Sequence, residues 1–128
     1  MEQTNNINAI RNTATGVSIT LDVYVFVEDG VFIAYSPALD LCGYGNTEDE
    51  AKSSFDISVR EYLSYGFSRK TLVKDLRAHG WKVKSIKQRR MSAPSFDMLV
   101  NNNDTFKDIL ENKEYRKLSE PMPFPAFV

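Results

Sequence analysis

Residues 17–28 read Val-Ser-Ile-Thr-Leu-Asp-Val-Tyr-Val-Phe-Val-Glu, and the alternation running through them decides the fold. Val17, Ile19, Leu21, Val23, Val25 and Val27 fall on one side, and polar residues interleave on the other. A period of two marks a strand with one face on a core, and β-branched side chains favour that extended form. Tyr24 and Phe26 break the polar side, so the outer face is half apolar and calls for a cover. Asp29-Gly30 supplies the positive-φ residues of a tight hairpin turn, and Val31 to Ser36 returns antiparallel. Pro37 ends that ladder by removing a donor. Leu41 to Tyr44 then forms a third, edge-like strand, with Gly43 and Gly45 marking a bulge or a close backbone approach.

Thr47-Glu48-Asp49-Glu50 is a capping box: Thr47 is the N-cap, Glu50 reaches back to its amide, and three acids sit at the positive end of the helix dipole. At about 100° per residue, Ala51, Phe55, Val59, Tyr62 and Leu63 share one stripe, which becomes the face against the sheet. Ile57 projects from the opposite side. The helix is expected to run to about Tyr65 and stop at Gly66. Ser68 caps a second helix with Leu72, Val73 and Leu76 inward and Lys70, Lys74 and Arg77 outward, closed by His79-Gly80. Trp81 to Arg90 reads as one strand with a bulge near Ser85. Asp104 to Glu111 suits a short helix using Phe106, Ile109 and Leu110, and the Pro-rich stretch 121–125 must run extended. The order β-β-β-α-α-β predicts an α+β fold, a small and mainly antiparallel sheet with the long helix on one face. It divides the chain into a loose arm (1–15), a domain (16–90) and an extension (91–128).

The run Tyr35 to Ala51, YSPALDLCGYGNTEDEA, resembles the HicB-like antitoxin family. An aromatic strand end, a proline, a short apolar turn, a G-x-G-x-T stretch and a capped helix follow in the family's order, over about residues 20–65. The resemblance implies a partial ribonuclease H-like core without that enzyme's carboxylate set. It also implies a protein-binding module that neutralises a small ribonuclease toxin. Family members append a helix-turn-helix or ribbon-helix-helix for operator DNA; one basic helix followed by a strand does not supply either pair of helices.

Charge is unevenly placed along the 128 residues although the net is −1. Residues 1–59 hold two basic residues against nine acidic ones, and residues 60–90 hold ten against two. Either the halves neutralise each other in the fold, or the basic block faces an anionic partner. The second alternative makes Lys70, Lys74, Arg77, Lys82, Lys84, Lys87, Arg89 and Arg90 a candidate nucleic-acid contact, since phosphates need only point charges at suitable spacing. A pI near 5.8 argues against a dedicated nucleic-acid domain. Tyr24, Phe26 and Ile57, apolar where solvent is expected, form the candidate protein interface for a homodimer, a higher homo-oligomer or a toxin.

No apolar run approaches the roughly 18 residues of a membrane span. The polar start of the chain does not read as a signal peptide, and a single cysteine, Cys42, forms no internal disulfide. A cytoplasmic address is expected. No enzyme is expected either, and no metal or other cofactor. His79 reads as a helix-end cation, Cys42 as a small core residue, and Gly43-x-Gly45 lacks the Lys-Ser/Thr of a phosphate loop. Glu48, Asp49 and Glu50 diverge around the helix and cannot converge on one ion.

Overall fold

The structure, a computed structural model, describes residues 10–13, 16–85 and 90–123. The alternating stretch becomes β2 (Gly16–Glu28), which turns through Asp29 and Gly30, both at positive φ, into β3 (Val31–Ser36). β4 (Leu41–Gly45) follows at the edge. Two further strands join this sheet. β1 (Ile10–Thr13) pairs with the start of β2, so part of the segment expected as a loose arm is strand. β7 (Tyr115–Pro123) lies antiparallel to β2 from Ser18 to Phe26. Because β7 overlaps the stretches of β2 paired with β1 and with β3, it takes the other edge. The result is a five-stranded antiparallel sheet with β2 at its centre.

Helix α1 (Glu48–Arg69) packs on one face. Its Thr47 Oγ1 accepts from Glu50 N–H at 3.1 Å, while Glu50 Oε1 accepts from Asn46 N–H at 2.8 Å, one residue upstream of the expected amide. Ala51, Phe55, Val59 and Leu63 are buried and Tyr62 is half-buried, as the helical period requires. The helix does not stop at Gly66. That glycine is buried against Leu72, and α1 runs on to a cap at Lys70, whose left-handed φ of 61° turns the chain. Ser68 therefore lies inside α1 and is no cap. Helix α2 (Leu72–Ala78) starts after Thr71, inserts Leu72 and Leu76, and ends at His79 with Gly80 at φ 93°.

The expected single strand 81–90 is a pair, β5 (Lys82–Ser85) and β6 (Arg90–Ser92), with the anticipated irregularity between Val83 and Ser85. Trp81 fastens this strand pair to the turn between β3 and β4 by donating from Nε1 to the Ala38 carbonyl at 2.8 Å. Leu21, Val23, Val25, Ala34 and Leu39 meet the buried faces of α1, α2 and β5 in one core.

The opposite face of the sheet carries a second core. Helices α3 (Phe96–Asn102) and α4 (Asp104–Asn112) lie there, and Phe106 and Ile109 close over Tyr24, Phe26 and Tyr35. Residues 96–123 are thus a layer and a strand of the same fold, not an appendage. Among the described residues, no helix is long and apolar enough to cross a membrane.

Candidate functional site

The three apolar residues assigned to a protein interface do not meet. Tyr24 is 2% exposed and Phe26 7%, because the cover their exposed pattern demanded comes from the chain itself. The Tyr24 ring stands edge-on to Phe106 at 4.9 Å and to Tyr115 at 5.5 Å. Burial, aided by the nearby charges of Asp22 and Tyr115, pushes the Tyr24 phenol up to about 12. Both residues are core, and the interface reading is corrected for them. Ile57 remains outside at 55% exposure on α1, as does Tyr65, over whose ring the Arg69 guanidinium sits at 5.3 Å.

The cationic candidates fare differently. Leu72 and Leu76 must point inward from α2, so Lys74 and Arg77 are left outside; Trp81 and Val83 do the same for Lys82 and Lys84 on β5. Lys70, Lys74, Arg77, Lys82, Lys84 and Arg90 are all exposed. Arg77 bridges the two elements by donating from Nη2 to the Val83 carbonyl at 2.6 Å, which joins α2 and β5 into one surface. Lys87 and Arg89 lie outside the described residues.

Four carboxylates, those of Glu28, Glu48, Asp22 and Glu120, are paired with cations away from that face. Arg116 donates to both carboxylate oxygens of Glu48, at 3.2 and 2.5 Å, and holds that carboxyl below its usual range. Lys113 meets Glu28 at 3.6 Å, Lys117 meets Asp22 at 3.8 Å, and Lys52 meets Glu120 at 3.7 Å. Three of these four cations belong to the segment 113–117. Among the described residues, no ion pair engages a cation of the α2–β5–β6 face. Among the described residues, the acidic half is therefore not ion-paired with Lys70, Lys74, Arg77, Lys82, Lys84 or Arg90.

A cleft of about 420 Å³ adjoins that face. Its rim includes Ala78, His79 and Gly80, the link between α2 and β5; its far wall comes from α3 and α4, and Pro37 and Asp40 close the side. Asp40, at a left-handed φ of 55°, accepts from the Tyr35 hydroxyl at 2.7 Å, and Tyr35 in turn accepts from Asn103 Nδ2 at 2.8 Å. This three-residue relay was invisible in the sequence, since Asn103 and Tyr35 are far apart in the chain. A positive-φ aspartate after a Pro-Ala-Leu turn left no pattern to read. Nδ1 of His79 sits 2.8 Å from the Asp75 carbonyl, in keeping with a helix-end role. Cys42 is half-buried, and burial raises its thiol pKa, which disfavours the nucleophilic thiolate. It does not line the cleft. Among the described residues, no group of three or more His, Cys, Asp or Glu is gathered as a metal would need.

Compared with protein-family models, curated proteins and solved structures, the chain matches none.

Proposed function

We propose that this chain is a non-catalytic binding module that holds a nucleic acid by its phosphates on the α2–β5–β6 face. The observation that carries the reading is the segregation of ion pairs. Four cations elsewhere are matched to carboxylates, whereas Lys70, Lys74, Arg77, Lys82, Lys84 and Arg90 are exposed without one among the described residues. Leaving so many like charges together is repulsive and is relieved by a polyanion. The test is fluorescence anisotropy with labelled oligonucleotides across a salt series. Binding should weaken steeply with salt, and the pair Lys74→Glu and Lys82→Glu should flatten the slope by roughly one per lost phosphate contact. A Kd indifferent to salt and to both substitutions ends the reading.

A second reading keeps the HicB-like antitoxin class, with a small ribonuclease toxin as partner. It is favoured by the succession β2–β3–Pro37 turn–β4–α1, which follows the order in the family, and by the apolar Ile57 and Tyr65 left exposed on α1. With Tyr24 and Phe26 inside the fold, Ile57 is the one residue of the three available to a toxin or to a second copy. Co-expression with a short basic reading frame adjoining this one should relieve that product's toxicity, and Ile57→Asp should abolish the relief. Unchanged growth with Ile57→Asp removes α1 as the toxin's seat.

A further inference from the structure

We propose that the cleft beside the basic face receives an unpaired guanine base of the bound nucleic acid. The inference rests on the phosphate-binding reading above and names the part of the ligand that the cleft takes. A volume of about 420 Å³ suits a small planar ligand, since ligand pockets begin near 300 Å³. The lining mixes polar residues with the apolar Pro37, Pro94, Met98 and Leu99, which offer a base surface to stack on. Charge then separates the two halves of a nucleotide. Asp40 and Asp104 line the cleft and repel phosphate. Arg77 and Lys82 flank the 78–80 rim in the chain and attract it. A strand running over the cations is therefore held with its backbone outside, and a neutral group enters.

The identity of the base follows from Asp40. An ionised carboxylate only accepts hydrogen bonds, and it has about four lone-pair sites. Tyr35, itself 2% exposed and backed by Asn103, occupies one site on Oδ1 and fixes the carboxylate's orientation. Among the described residues nothing else bonds to the Asp40 carboxylate, so the second site on Oδ1 and both on Oδ2 are open to a ligand. Guanine is the base whose Watson–Crick edge offers two adjacent N–H donors, N1–H and the N2 amino group. Adenine and cytosine set an acceptor beside their donor, and uracil flanks its one donor with acceptors. A carboxylate opposite any of these meets a lone pair, and bases splayed from a single strand are read on that edge.

The experiment titrates the full-length chain with short labelled oligouridines carrying one central guanine, adenine or cytosine, and with guanosine monophosphate alone. The guanine oligomer should bind about tenfold more tightly than the others, the discrimination expected of one good bidentate pair. Asp40→Asn should bring all of them to the affinity of plain oligouridine without weakening the latter. Asparagine tolerates the left-handed φ and keeps an acceptor for Tyr35, so this variant should fold, and an unchanged thermal midpoint confirms it. Equal affinity for every base overturns the cleft assignment while the salt-dependent phosphate reading stands. Asp40-dependent binding of guanosine monophosphate as tight as that of the guanine oligomer overturns the nucleic-acid source and makes the ligand a free nucleotide. Binding of neither overturns both readings.

Discussion

Phe106 of α4 stands edge-on to Tyr24 of β2, ring centroids 4.9 Å apart, and seals the face of the sheet turned away from α1. Phe106 is fully buried and also meets Phe96 at 5.7 Å. Phe106→Ala should cost about 3–5 kcal/mol, the usual range for removing a buried phenylalanine. Denaturant unfolding measures it. A loss under about 1 kcal/mol would show that α4 only rests on the sheet.

Gly43 is where α1 comes closest to the sheet. A Cβ there would collide with Phe55 N and the Ala51 carbonyl oxygen, both of them backbone, so no rotamer change relieves it. Gly43→Ala should destabilise by about 2 kcal/mol or more, since overpacking a rigid contact costs roughly 1–3 kcal/mol. The thermal midpoint reads it directly, and a neutral result would mean that α1 can lift off β4.

Trp81 ties the basic strand pair β5–β6 to the turn between β3 and β4 through the Ala38 carbonyl. Trp81→Phe keeps much of the apolar bulk but leaves that buried acceptor unmatched, a penalty of about 1–3 kcal/mol. If the strand pair is held mainly by this bond, hydrogen exchange at Lys82–Ser85 should accelerate more than exchange in β2. Equal acceleration everywhere argues that the bond is merely part of global stability.

Asp22 gives the protein an unusual pH response. Burial raises its carboxyl above the ordinary value of 3.8, and the Lys117 ammonium only partly opposes that. With the folded value above the unfolded one, the native state holds the proton more tightly. Asp22 therefore removes stability as pH rises from about 3.8 through its folded value. Asp22→Asn should abolish that loss, so that the variant's stability changes less than the parent's as pH rises from about 3.8 towards neutrality. Unfolding of both proteins across that range measures it, and an unchanged pH dependence would overturn the argument.

The sequence disclosed its local rules well and its long-range partners poorly. Although Val27 at the strand's end is 51% exposed, the strand over 17–28, the inward Leu21, Val23 and Val25, the Asp29-Gly30 turn, the Thr47 cap and the Ala51-Phe55-Val59-Leu63 stripe stand as read, because each depends on neighbours within a few residues. The cations of α2 and β5 are outside for the same reason. Tyr24 and Phe26 were legible as a face needing cover, but nothing nearby said whether the cover is Phe106 or another chain. β7 was missed as a sheet member because prolines at 121 and 123 suggest a bare extended tail. A strand paired along one edge tolerates such residues. Gly66 misled because glycine serves close packing as readily as helix termination. Here it admits Leu72.

The nine-residue register between β2 and β7 has a consequence for biosynthesis. β2 is made early, yet one of its edges stays bare until Tyr115–Pro123 has left the ribosome. Its aromatic side stays uncovered until α4 follows it out. Contacts that distant in the chain are slow to close, so the nascent protein passes through a sticky, half-built stage. Chaperone dependence during translation should accordingly be greatest just before that last strand emerges.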